Sequence, residues 1–294
     1  MSRFFKSKLG VALAAALAVM ASLAAWAFWL EPSSIGVRRV SLGVPGWRAE
    51  HRGLKVALLT DLHVGAPHMG LAQLRRVVGR TNAEAPDVVL ITGDFVIGGP
   101  KDRGGERGGV AGGTFVEPEP IAEELKHLRA PLGVYAVLGN HDWWFDGERL
   151  TRALEAAGLR VLENQAARVE RGGRAFWLAG VADLWTRTPD VAGALREVPG
   201  DDAVLLFTHN PDVFPGVPAR VSLTVAGHTH GGQVSLPLVG RPVVPSRFGQ
   251  RYAMGQVVEG GRHLFVGGGL GTSIIPVRFR VPPEIVVLSL EALN

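Results

Sequence analysis

The segment PDVVLITGD, Pro86 to Asp94, is the stretch on which the fold turns. Val88 to Ile91 are apolar without a break, and three of those four residues are β-branched. A run that short fits a strand better than a helix. An unbroken apolar pattern, rather than an alternating one, marks a strand covered on both faces. The run then stops at Thr92-Gly93-Asp94, so a buried strand ends by delivering a carboxylate from a glycine turn.

Moving outward, the same design recurs. LKVALLT (Leu54–Thr60) leads into Asp61-Leu62-His63, and GVYAVLGNHD carries Asn140-His141-Asp142 after Gly139. DAVLLFTHN ends in His209-Asn210, and VSLTVAGHTH ends in His228-Thr229-His230. RAFWLAGVAD (Arg174–Asp183) is a further run, ending in an acid that reads as a cap. Between these runs lie helical patterns. Leu71, Leu74, Val77 and Val78 are spaced for a helix within 70–85, and GERLTRALEAAG gives a second over 147–158 with a glycine stop. Strands alternating with helices indicate an α/β fold. The late segment LFVGGGLGTSIIPVRFRVPPEIVVLSL has no helical period and predicts a second sheet. An edge strand is expected around 35–42.

In layered α/β folds, ligands bind at the carboxyl ends of the strands. The polar groups from Asp61 to His230 are therefore expected to converge on one crevice. Their chemistry is that of a moderately hard divalent cation, since aspartate, asparagine and imidazole supply oxygen and nitrogen donors. The set is too large for one ion and suits two ions sharing a carboxylate. In D-x-H and H-x-H, an extended backbone would send alternate side chains to the same face. His51, His68, His127 and His263 lack the strand-end context and read as packing or surface residues.

Composition narrows the alternatives. The 294 residues contain no cysteine, which excludes disulfides, thiolate metal sites and a cysteine nucleophile. The net charge of +4 comes from scattered Arg and Lys, so no nucleic-acid footprint is expected. The glycine-rich stretch 98–120 reads as a surface loop, and its glycine repeats at 98–113 do not run into the Gly-Lys-Thr of a P-loop.

The first thirty residues form a separate unit. Arg3, Lys6 and Lys8 precede an apolar run from Leu9 to Leu30. About 20 such residues span a bilayer, and the preceding positive charge keeps the amino terminus cytoplasmic. Ala25-Trp26-Ala27 is compatible with signal-peptidase cleavage, but the run is long and its bulky end suits a membrane interface, so an uncleaved anchor is the expectation. This gives an anchor at 1–30, a connector at 31–52 and a catalytic domain at 53–294. The expected location is the bacterial inner membrane, with that domain on the periplasmic side.

The motifs DLH, TGD, GNHD, THN and GHTHGGQ, in this order, resemble the calcineurin-like metallophosphoesterase superfamily. The anchor and the tail GGGLGTSIIPVRFRVPPEI resemble its membrane-associated bacterial branch of phosphodiesterase-like proteins. The resemblance implies a four-layer α/β/β/α sandwich of two mixed sheets. It implies that Asp61, His63 and His230 bind a first metal, that Asp94 bridges, and that Asn140, His209 and His228 complete a second site. His141 would then serve the leaving group, with Asp142 orienting its ring. The implied cofactors are two divalent ions, manganese first, with iron or zinc as alternatives. One departure is visible: many members read G-D-x-x-D at the second motif, where this chain has Gly93-Asp94-Phe95-Val96-Ile97, which bears on metal affinity and the neighbouring loop.

The expected activity is hydrolysis of a phosphodiester or pyrophosphate, with a lipid-linked substrate in view, by attack of a metal-bridging hydroxide. The alternatives are a phosphatase of soluble monoesters and a catalytically silent, membrane-tethered binding protein. Trp143, Trp144 and Phe145 are candidates either for packing under the site or for a rim on the substrate. Arg278 is a candidate for a phosphate contact or a structural ion pair.

Overall fold

The computed structural model describes residues 2–98 and 109–293. Part of the expected glycine-rich loop, 99–108, lies outside the described residues. Strands β1 (Gly36–Val44), β2 (Leu54–Leu59), β3 (Val88–Ile91), β4 (Val134–Ala136), β5 (Arg160–Val161) and β12 (Glu284–Ala292) build one sheet in the order β1-β12-β2-β3-β4-β5. Strands β6 (Gln165–Arg171), β7 (Arg174–Val181), β8 (Val204–Thr208), β9 (Leu223–Ala226), β10 (Gly255–Glu259) and β11 (Arg262–Val266) build the other, in the order β10-β11-β9-β8-β7-β6. Both sheets are mixed. The β12–β2 pair is antiparallel in the first, the β6–β7 and β10–β11 pairs are antiparallel in the second, and the central pairs are parallel. The expected edge strand is β1, which pairs in parallel with β12.

Alternation along each strand sorts the core into layers. In β3, Val88 and Leu90 face the space between the sheets, while Val89 and Ile91 face the helices. In β8, Leu205 and Phe207 meet that same inner layer, and Val204 and Leu206 turn the other way. Helices α3 (Leu71–Ala83), α4 (Pro118–Leu125) and α6 (Gly147–Ala156) cover the first sheet through Leu74, Val77, Ile121, Leu125, Leu150 and Leu154. The short α7 (Val191–Ala194) covers the second. The result is the four-layer sandwich. Each inner strand is buried on both faces, which is why its sequence reads as a continuous apolar run.

The amino terminus is one long helical stretch: α1 (Ser2–Ala25), a π-helical turn at Trp26–Leu30, and α2 (Glu31–Ser33). Residues 8–33 of it are long and apolar enough to cross a membrane, with mean hydropathy 2.2 and only 6% of its apolar window buried. Its end is fastened to the sandwich. Arg278 N–H donates to the Ala27 carbonyl at 2.9 Å, and the buried Glu31 carboxylate accepts from Trp26 Nε1 and Val281 N–H at 2.6 Å each.

Candidate metal centre

Strands β2, β3, β4, β8 and β9 point their carboxyl ends at one crevice. Asp61 and His63 follow β2, Asp94 follows β3, and Asn140 to Asp142 open the short helix α5 (Asn140–Phe145) after β4. His209 follows β8, and His228 and His230 follow β9. All nine residues are buried and lie together.

The backbone achieves this by a different route from alternation along an extended chain. Asp61, His63, Asp94, His228 and His230 have φ of 50°, 43°, 56°, 70° and 51°, all in the left-handed region. That region costs a non-glycine residue about 1–2 kcal/mol, so five adjacent sites store strain that the surrounding packing must hold. Close approach adds a second constraint. A Cβ on Gly139 would sit 2.2 Å from Asp94 Oδ1, so the loop after β4 can lie on the carboxylate only as glycine.

Two donor groups result, sharing Asp94. Asp61, His63, Asp94 and His230 offer atoms all within 4.8 Å of one another, and so do Asp94, His209 and His228. Asp94 Oδ2 lies 3.3 Å from His63 Nε2 and 3.4 Å from His209 Nε2. His209 Nδ1 lies 2.7 Å from the Thr92 carbonyl, an acceptor, so Nδ1 carries a proton and Nε2 is the nitrogen turned to the centre. His209 Nε2 meets Asn140 Oδ1 at 3.1 Å and His228 Nδ1 at 3.0 Å. Likewise His63 Nε2 and His230 Nε2 face each other at 3.1 Å, and His230 Nε2 lies 3.5 Å from Asp61 Oδ1.

Converging acceptors of this kind repel unless a cation stands among them, and His–carboxylate sets suit a divalent metal. The electrostatics agree. Burial disfavours charge on Asp94, but His209 and His141 outweigh it and hold the carboxyl well below its usual range. Burial also opposes charge on His209, yet Asp94 and Asp61 push it up to about 10. Burial, reinforced by neighbouring imidazoles, holds His228 and His230 well below their ordinary value. The centre thus pairs an ionised Asp94 with a His209 held in its charged form and sets neutral His228 and His230 around them.

His141 stands beside this set, its Nε2 4.0 Å from Asp94 Oδ2 and its ring 4.5 Å from that of His63. Burial pushes it down to about 4. The expected contact of Asp142 with the His141 ring is replaced by another arrangement. The Asp142 carboxylate accepts from the backbone N–H groups of Asp94, Phe95 and Gly139 at 2.8 Å and of Val96 at 3.2 Å. Two loops leave their strands with unpaired N–H groups at the same place, and one buried carboxylate satisfies four of them. Asp142 therefore positions Asp94 and does not orient the imidazole.

Other candidates also find their places. Arg278 is fully buried and donates to the carbonyls of Gly268, Gly271 and Val281, so it fixes the loop over Asp61 and is not aimed at a phosphate. Asp183 caps a turn, accepting from Trp185 and Thr186 N–H. Trp143 lies under the Arg187 guanidinium and Phe145 packs on Phe115, whereas Trp144 lines the cleft. His51 is packed between Trp47 and Phe176.

Above the centre opens a cleft of about 550 Å³. Its floor is Asp94, Asn140, His141, His228 and His230, and its walls include Trp144, Trp185, Val243, Ile275 and Val277. Trp185 packs edge-on against His228 with ring centroids 4.3 Å apart. Sequence reasoning missed it, although it follows the end of β7 and so obeys the same strand-end rule.

Fold and site define a class: a two-sheet α/β hydrolase with a candidate dimetal centre at the strand ends. The chain belongs to the calcineurin-like phosphoesterase family, whose profile matches residues 54–232. It is a metal-dependent phosphoesterase. A metallophosphoesterase of Bacillus subtilis, YkuE, is 30% identical over 99% of this chain and 98% of its own length. The phosphodiesterase YaeI of Escherichia coli is 32% identical over 80% of this chain and 82% of its own. A transmembrane protein with a metallophosphoesterase domain from Danio rerio is 31% identical over 62% of this chain and 41% of its own.

Proposed function

We propose that the protein hydrolyses a phosphodiester or pyrophosphate of a lipid-linked substrate at a dinuclear centre. Asp61, His63 and His230 would hold one ion and Asn140, His209 and His228 the other, with Asp94 shared between the two sets. Manganese is the first choice of metal. When bound, the ions supply Lewis acidity toward phosphoryl oxygens and lower the pKa of a water. The chain's own residues do the rest. Asn140 supplies a neutral oxygen, limiting negative charge opposite an anionic substrate. His141, next to Asp94, donates a proton or hydrogen bond to the leaving oxygen. Asp142, through four backbone N–H groups, keeps the Asp94 loop in register.

The observation that carries this reading is the shared carboxylate, with Asp94 Oδ2 between His63 and His209. The apolar walls of the cleft support a substrate with a hydrocarbon part, and the YaeI name supports a diester. The apolar amino-terminal helix supports an uncleaved anchor in the inner membrane, with the sandwich on the periplasmic side. The test is turnover by the detergent-solubilised full chain, stripped of metal and then given manganese. A chromogenic phosphodiester should be cleaved faster than the matching monoester, and only with metal. Faster monoester hydrolysis would make the protein a phosphatase; no turnover from a folded chain holding two ions would favour a binding protein.

A further inference from the structure

We propose that the segments 234–245 and 273–277 form a collar that inserts into the lipid bilayer beside the amino-terminal helix, so that the catalytic cleft opens onto the membrane surface. Three observations converge on it. The first is exposure. Of the nine large hydrophobic side chains exposed outside the amino-terminal helix among the described residues, six belong to these two segments: Leu236, Leu238, Val239, Val243, Ile274 and Ile275. Leu238 is fully in solvent and Ile274 is 69% exposed. Singly scattered apolar residues are ordinary, but a contiguous apolar cluster marks an interaction surface.

The second is strain. Ile274 has φ 63° and Leu238 has φ 67°. A β-branched residue in that region is a conformational outlier, and such strain gathers where a segment is held for function. The chain thus holds an isoleucine in an unfavourable backbone state and also out in water.

The third is continuity with the helix, which identifies the occupant as lipid. Val234 and Phe279 form a bridge, Ser235 N–H donates to the Phe279 carbonyl, and Phe279 N–H donates to the Gln233 carbonyl. One residue away, Arg278 N–H holds the Ala27 carbonyl, and Val281 N–H holds Glu31. The collar is therefore bolted to the end of the apolar helix at Trp26–Leu30, a stretch suited to the membrane–water interface. Arg280 is exposed beside Trp26 and Leu30, where a cation meets anionic headgroups. Val243, Ile274 and Ile275 also line the cleft, so the surface that meets lipid and the entrance for substrate are one.

The chain lacks cysteine, so single-cysteine variants are labelled only where intended. The experiment reconstitutes full-length Leu238→Cys, Ile275→Cys and Gly200→Cys into vesicles of phosphatidylethanolamine and phosphatidylglycerol, each variant carrying an environment-sensitive fluorophore. Gly200 precedes β8 at the end away from the crevice and has room for a side chain. Quenching by doxyl-labelled lipid should be several-fold stronger at 238 and 275 than at 200. Equal quenching at all three positions would overturn the collar. The result does not depend on turnover, so it stands or falls apart from the catalytic reading, and repeating it in Asp94→Asn makes that separation explicit. A second measurement uses Leu238→Asp with Val239→Asp, neither of which lines the cleft. KM for a vesicle-borne phosphodiester should rise several-fold while turnover of a soluble chromogenic diester is unchanged. An unchanged KM on vesicles would count against the collar.

Discussion

Asp94 is the residue on which the centre depends, because its carboxylate belongs to both donor groups. The His141 ring lies 4.0 Å from that carboxylate and belongs to neither donor group. Its backbone N–H, which donates to Asp94 Oδ1 at 3.0 Å, survives truncation of the side chain, so that truncation should separate chemistry from metal binding. His141→Ala should lower kcat by about 10²–10⁴ and keep the parent's metal content; metal lost along with activity would show that it is a ligand. A second residue reports on burial. Glu163 accepts from Leu138 N–H, and its other oxygen is buried without a partner. Burial pushes its carboxyl from the ordinary 4.5 to about 7. The folded state thus binds a proton that the unfolded state has released between those two values. Its contribution is full below pH 4.5 and is lost as pH rises through 7. Glu163→Gln removes the ionisation, and at pH 8 it should be more stable than the parent by about 1–3 kcal/mol. Unfolding curves at pH 8 and pH 5 test this. The gain should shrink at pH 5, and an equal difference at both pH values would contradict it.

At the scale of elements, the loops after the strands are the precision parts. Gly139→Ala places a Cβ against Asp94 Oδ1 and against the Asp94 backbone nitrogen, 2.7 Å away. Displacing that carboxylate should reduce turnover about 100-fold, with the fold retained by circular dichroism; parent-like turnover would show that the loop can yield. These loops also mark the limit of what the sequence discloses. The strands were legible because VVLI and VLLFT are buried on both faces, and the alternation of elements gave the class. The convergence of Asp61, Asp94 and His230 followed from strand-end logic. The left-handed backbone at Asp61, His63, His228 and His230 was not legible, since nothing in Asp or His announces it as glycine would. Nor was the use of Asp142, whose four donors come from residues 48 to 3 positions away in the chain and meet only through the pairing of β3 with β4.

For the whole molecule, the apolar helix, the sandwich and the centre are joined in one body. The sequence marked the apolar run but not its clamp, because Glu31 and Val281 stand 250 residues apart. The clamp makes the helix end part of the body that carries the cleft. The centre contributes to stability as well as to chemistry. Chelation leaves facing imidazole lone pairs and two buried carboxylates without a cation, so the apo protein should melt at lower temperature. Metal at a hundredfold excess over Kd should restore about 3 kcal/mol. Melting curves with and without chelator check this, and coincident curves would mean that no metal is held in the folded state.

The most direct test of the dinuclear centre is metal content by mass spectrometry on the purified full chain, parent beside Asp94→Asn, with turnover of a phosphodiester read on the same samples. Two ions per chain in the active parent, falling together with activity in the variant, is the predicted result. One ion or none in an active parent, or a variant that keeps both ions and full turnover, would contradict it.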